Sequence, residues 1–396
     1  MKLVASELKK LSKNRIIFII IAAFILLDVF NIYRNYNISN GVPDGVAAAQ
    51  RVLQNQLDGE IAEEKTTLIN TKIDELTELV NGEFNAQKEP DKRFLSGYAF
   101  WDLQLWESYQ NYIERASEYA DNLEGKIETA SDNIAYYKDR NPFYSAENEL
   151  YFHTYSNRII NEIYDTDTLP DYFSYCFSSV LMVIVLLIGV VPVFCNECEC
   201  DMHTVLLTSR FGRRRTIKAK IFSSVIFTIA VSLLFATADF FAFWSFDGID
   251  GLSAPLYAVQ GYENTSLSLS VFQFCILLFI IKTVGILVVS LIFLLFSRLF
   301  KKPVVPFVCG LVTFFLLMMS KVFFTNQIGR IINLFNPITL LTSNDLFMDF
   351  NVLNVLGQPI FMWQFALFVG MLIVAALFSV IAFLPLKIDI KLRAKK

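Results

Sequence analysis

The run CNECECDMH, from Cys195 to His203, gathers Cys195, Cys198, Cys200 and His203, thiols and an imidazole of the kind that hold zinc and other soft metals. Its C-x-x-C-x-C-x-x-H spacing is unusual for zinc. Cysteines beside a helix end also serve as small apolar residues, so no metal ligands are assigned. A second chemistry arises where charge interrupts apolar sequence. Asp28 follows IIFIIIAAFILL, and Lys282 lies within FCILLFIIKTVGILVV. Ionisable residues in such runs mark ion pairs, transport pathways or side chains that snorkel to the interface. The long side chain of Lys282 brings it within reach of Asp28. This candidate intramembrane pair either lines the route of a polar substrate or is a fixed salt bridge between two spans. Asp239 and Lys321 lie near the ends of their apolar runs, where either can reach the interface, and are assigned no role. His153 and His203 are the only histidines, and neither belongs to a nucleophile or carboxylate constellation. No G-x-x-x-x-G-K-[ST] loop is present to cradle a phosphate. The chain is read as a non-enzyme with no catalytic, cofactor-binding or metal-binding residues of its own.

The elements that must position these residues are apolar spans. A hydrocarbon core of about 30 Å needs about 20 helical residues, and the runs 16 to 33, 173 to 194, 217 to 243, 269 to 296, 304 to 324 and 361 to 385 are each long enough. The expected fold is an all-α polytopic membrane protein with six transmembrane helices and a mainly helical extracellular domain inserted after the first. Residues 1 to 15 form a cytoplasmic amphipathic leader, 16 to 33 the first span and 34 to 172 the extracellular domain. Residues 173 to 396 hold the other five spans. A composition of 54% hydrophobic residues with 38 Phe fits that class.

Charge sets the orientation, because Lys and Arg remain on the cytoplasmic side. The leader, the loop ending in Arg213, Arg214 and Arg215, the loop with Arg298, Lys301 and Lys302, and the tail are all basic and all fall on one side. Both termini are therefore expected in the cytoplasm of a multi-pass plasma-membrane protein. Residues 35 to 172 carry 26 Asp and Glu against 11 Lys and Arg, a net charge of −15. None of the six cysteines lies in that domain, so packing alone must hold it. That suits a Gram-positive or otherwise disulfide-poor cell surface.

Within the outer domain, apolar residues recur at helical spacing from Leu57 to Val80, with a stop at Asn81-Gly82. A second helix is expected from about Tyr98 to Lys138, broken by Asn141-Pro142, and a third from about Ala146 to Ile163. The second carries Trp101, Trp106 and Tyr109. These aromatics either face an amphipathic ligand, cationic ones being favoured by the acid excess, or form the small core where long helices meet.

The loop FCNECECDMHTVLLTSRFGRRRTIKAK, Phe194 to Lys220, places acidic residues before a short apolar patch and then a basic cluster. Such a segment lies at the membrane surface with its basic end near lipid phosphates. It resembles the coupling loop of the membrane subunits of ABC exporters of the second permease class, in which a glutamate precedes a Thr-x-x-Leu-Leu-x-Thr patch, Gly-Arg, and a lysine opening the third span. The matching residues are Glu197 or Glu199, Thr204, Leu207, Thr208, Gly212, Arg213 and Lys220, with His203 where the family has a glycine. The leader SELKKLSKNR, the six spans, the outer domain and the NPITLL stretch from Asn336 to Leu341 extend the resemblance over most of the chain.

The resemblance implies a permease whose loop 195 to 216, with Glu197, Glu199, Thr204, Leu207, Arg210, Arg213 and Arg214, touches a separate ABC ATPase. ATP and Mg would be bound on that partner. It further implies a second permease copy or paralogue, lipid contact, an amphipathic or cationic peptide, drug or lipid as cargo, and no nucleic acid. The segment Ile338 to Phe350 is too short to cross and is expected to cap the outer exit. Two other readings stay open: an ATPase-driven mechanical signalling protein acting through its extracellular domain, and a polytopic receptor without an ATPase.

Overall fold

Long apolar runs without a helix breaker form helices, because only intrahelical hydrogen bonds satisfy the backbone away from water. The computed structural model of the protein describes residues 2–13, 15–39, 44–81, 99–199, 212–246, 248–324 and 326–383. The chain is mostly helical, and six stretches are long and apolar enough to cross a membrane: Arg15–Ile38, Leu169–Asn196, Arg215–Phe246, Val271–Leu299, Val304–Phe323 and Met362–Phe383.

The elements run α1 Lys2–Lys13, α2 Arg15–Ser39 (span one), then the inserted domain of α3 Asp44–Leu57, α4 Glu63–Asn81, α5 Ala99–Tyr137 and α6 Pro142–Tyr155. Span two is broken into α7 Leu169–Ser174, α8 Phe177–Val190 and α9 Pro192–Glu199. Spans three to five are α10 Gly212–Phe246, α11 Val271–Leu299 and α12 Val304–Phe323. The short helices α13 Gln327–Asn333 and α14 Pro337–Leu341 precede span six, α15 Met362–Phe383.

Span four is the axis of the bundle. Helix α11 packs against α8, α9, α10, α12, α14 and α15, and the spans around it differ sharply in exposure. In spans two and four 67% and 61% of the most apolar window is buried, against 11% in span five, so α12 presents its Val, Leu and Phe side chains outward. Small hydroxyls join spans three and four, with Thr228 Oγ1 2.7 Å from Ser290 Oγ and Ser232 Oγ 2.9 Å from Thr283 Oγ1. Such pairs let helices approach closely where no hydrophobic effect drives them together.

Between spans five and six the chain turns back into the bundle. A Cβ on Gly285 of α11 would lie 3.0 Å from Pro337 O, and one on Gly370 of α15 would lie 2.7 Å from Leu340 Cδ1, so two glycines make room for α14. Lys321 of α12 fastens this segment: its Nζ donates to Thr342 O at 3.1 Å and lies 3.2 Å from an Asp345 carboxylate oxygen. An antiparallel hairpin follows, Val352–Val355 with Gln358–Phe361. Its turn residues Leu356 and Gly357 both have positive φ, 54° and 87°.

The inserted domain has its own core of Leu53, Leu57, Ile69, Leu76, Leu103, Trp106, Tyr109 and Ile163. Helix α5 returns as α6 after Asn141 caps the new helix, its side chain accepting from the Phe143 and Tyr144 backbone N–H groups, with Pro142 at the first position. The third helix stops at Tyr155 rather than Ile163. Beyond it Arg158 is buried, its Nη1 donating to Thr265 O at 2.8 Å and its guanidinium lying 4.3 Å from the Tyr155 ring and 4.9 Å from that of Tyr257. The chain then pairs back on the end of α3 through Gly59↔Ile163 and Glu60↔Glu162. Phe350, just before the hairpin, packs edge-on against Tyr151 of α6. The inserted domain is thus seated on both loops beneath it, 248–270 and 342–361.

Candidate functional site

Inside the bundle, the break in span two creates a polar site. Tyr175 has extended backbone (φ −62°, ψ 120°) between α7 and α8, which frees its carbonyl from the helical ladder. Lys282 Nζ of span four donates to that carbonyl at 3.0 Å. The Tyr175 hydroxyl donates to Asp28 Oδ1 at 2.7 Å and accepts from Asn31 Nδ2 at 3.2 Å. Asp28 is fully buried. Its carboxyl lies beside that of Asp239 from span three, which also neighbours the Ser178 hydroxyl and Lys282.

Asp28 and Lys282 thus share a site without a direct ion pair between them. Tyr175 stands between the two, joined to Asp28 by its ring hydroxyl and to Lys282 by its backbone. Asp239, which sequence reasoning assigned no role, belongs to the cluster because α10 continues to Phe246. That places it about two turns inside the helix end.

The site adjoins a cleft of about 540 Å³ lined by Asn31, Asn35, Tyr36, Asp171, Tyr175 and Phe243. Tyr36, Asp167 and Thr168 also line a second cleft of about 470 Å³, between α3 and α5, whose other walls include Gln50, Gln54, Trp101, Glu107 and Asp165. The two clefts therefore meet at shared residues and extend from the inserted domain to the Tyr175 ring.

At the floor of the upper cleft, Asp165 Oδ1 accepts from the Tyr112 hydroxyl at 3.0 Å and Oδ2 from Gln54 Nε2 at 2.5 Å. Burial, reinforced by Asp167, pushes its carboxyl up to about 6. Asp58 beside it accepts from the Tyr109 hydroxyl at 2.5 Å, and burial raises its carboxyl as well. Burial and these acids push both tyrosine hydroxyls upward, so they act as donors.

The three aromatics singled out from sequence separate accordingly. Trp106 and Tyr109 are buried in the domain core, whereas Trp101 lines the cleft.

At the opposite end of the bundle, Glu197 and Glu199 fall on the last turn of α9, and Arg213 and Arg214 on the first turn of α10. The side chains of these four, and Thr204, Leu207 and Arg210 entirely, lie outside the described residues. The helices that carry the loop are firmly seated. Lys220 donates to Val193 O, Arg298 to Ile381 O, and Phe194 N to Ser297 Oγ at 3.1 Å. Buried Cys195 is bound here too, its thiol donating to Ser297 O at 3.2 Å. Cys200 and His203 lie outside the described residues, as does the side chain of Cys198.

The chain matches no known family profile, and no curated protein matches it.

Proposed function

We propose that the protein is the membrane subunit of an ATP-driven ABC exporter of the second permease class. In this reading the acidic inserted domain is extracellular and both termini lie in the cytoplasm of a plasma membrane, of a Gram-positive cell by its disulfide-free exterior. The chain forms the translocation pathway together with a second copy or paralogue. A separate ATPase binds ATP and Mg, and the cargo is an amphipathic or cationic peptide, drug or lipid.

The observation that carries the reading is the mounting of the loop between spans two and three. Its flanking helices α9 and α10 are tied to each other through Lys220, α9 is tied to span four through Ser297, and span four is tied to span six through Arg298, while the N-terminal helix α1 packs on α10. A push on this loop therefore reaches the central span directly, which a coupling element requires. The cleft between α3 and α5 of the inserted domain, polar and acidic with Trp101 on one wall, suits an amphipathic cation.

One observation favours a second reading, in which an ATPase drives the inserted domain as a signalling lever. Arg158, Tyr155 and Tyr151 seat that domain on the loops joining spans three to four and five to six, so helix motion passes into it.

The test is charge reversal at Arg213 and Arg214 together, or replacement of Glu197 and Glu199, in protein reconstituted with its ATPase. Loss of cargo-stimulated ATP hydrolysis with basal hydrolysis retained is expected. Unchanged stimulation in both variants contradicts the assignment.

A further inference from the structure

The acids inside the bundle pose a question that the permease reading leaves open. Asp28 Oδ2 and Asp239 Oδ1 are both buried and accept no hydrogen bond from any group among the described residues, although the two carboxyl groups are neighbours. An ionised carboxylate is an acceptor only. Two of them side by side, away from water, repel each other and leave their oxygens unsatisfied. A single hydrogen between them removes both problems.

Charge leads to the same stoichiometry. Among the described residues, Tyr172 and Tyr175 from the broken span two and Lys282 from span four face the pair, and Cys176 and Cys275 face Lys282. Of these only Lys282 carries formal charge at neutral pH. Two carboxylates and one ammonium sum to −1, and one added proton makes the cluster neutral. Neutrality is the state that a low-dielectric bundle favours.

We infer that Asp28 and Asp239 form a proton-binding site that holds one shared proton between spans one and three and exchanges it with the clefts through Tyr175. The Tyr175 ring lines the cleft, and its hydroxyl donates to Asp28 while accepting from Asn31. Among the described residues it is thus the hydrogen-bonded link between that cleft and the acids. The exchange is a plain proton transfer: water in the cleft delivers H⁺ to a carboxylate and takes it back, with no change of oxidation state. Separation of spans one and three would divide the pair and release the proton, which ties the helix arrangement to pH on the cleft side.

The experiment is infrared spectroscopy of the full chain in lipid, with isotopically labelled aspartate to assign the carbonyl stretch of a protonated carboxylic acid. Wild-type protein should show one such aspartic acid at neutral pH beyond any contributed by Asp165, which D165N identifies. D28N and D239N should each lose it, because the remaining carboxylate balances Lys282, and both should fold, since the amide N–H replaces the shared hydrogen. Adding K282M to D28N should restore the band on Asp239. In Y175F the band should persist and its exchange with deuterium should slow at least tenfold. Absence of the acid band in wild type, or its survival in D28N/D239N, overturns the proposal. Unchanged exchange in Y175F overturns the route. Stability that depends on sodium at fixed pH, with no acid band, would place a metal cation between the carboxylates instead. None of these readouts involves transport or an ATPase, so a failure here is distinct from a failure of the permease reading.

Discussion

Two pairs of buried acids, one in the inserted domain and one in the bundle, are built from the same parts and differ in what surrounds them. Asp58 and Asp165 receive the Tyr109 and Tyr112 hydroxyls, as Asp28 receives that of Tyr175. In the first pair Asp165 lines a cleft and Asp58 is only half-buried, so water can reach either carboxylate when it ionises. The second is enclosed by helices and relies on Lys282 and a shared proton. The comparison teaches that a tyrosine hydroxyl can satisfy a buried acid anywhere, but that the solvent beside it decides whether the charge itself is tolerated.

The largest effect should come from deleting both acids of each pair. D28A/D239A leaves the Lys282 ammonium without a carboxylate inside the bundle, and about 3–5 kcal/mol of stability should be lost. D58A/D165A should cost only about 1–3 kcal/mol, because water entering the cleft takes over the tyrosine donors. Thermal unfolding in detergent, followed by tryptophan fluorescence, measures both. Equal losses would erase the distinction between the two regions.

A middle-sized effect concerns pH. Asp165 has a folded-state value of about 6, above its ordinary 3.8. Its stabilising contribution is complete below pH 4 and is lost as pH rises through 6. Between pH 5 and 7 the inserted domain should lose about 1 kcal/mol from this group, and D165N should remove that slope. A slope of opposite sign would show that Asp165 is held by a positive charge rather than raised by burial.

The smallest effect is local. Leu356, fully exposed at 101%, adopts φ 54° in the hairpin turn, a conformation that suits Asn or Gly there. Leu356→Asn should stabilise the hairpin by about 0.5–1 kcal/mol, seen as slower amide exchange in Val352–Val355. No change would mean that the tip has contacts that compensate the strain.

Much of this was legible from residue patterns, and the misses have physical causes. Six apolar runs stood out because membrane spans are long and nearly uncharged, and Asn141-Pro142 marked its boundary because a capping side chain followed by proline is a strong helix start. The division between Trp101 and its neighbours was not readable: Trp101 precedes Leu105 by four residues and continues the stripe of Leu105, Tyr109, Tyr112 and Ala116, and only its place at the start of α5, beside the cleft, separates it from the buried core. The break at Tyr175–Cys176 was not readable, since FSYCFSS carries no proline or glycine, and tertiary contact with Lys282 and Asp28 holds it open. Asp239 was misplaced because the apolar run seemed to end at residue 243, while its helix extends to Phe246.

The most direct test of the central claim is purification of the full tagged chain from its own membranes in mild detergent, followed by identification and quantification of what remains bound. An ABC-type ATPase in equimolar amount is expected, with ATP hydrolysis that the amphipathic cargo stimulates and that Arg213/Arg214 charge reversal uncouples. Recovery of the folded six-span protein with no nucleotide-binding polypeptide, under conditions that preserve other membrane complexes, would contradict that claim.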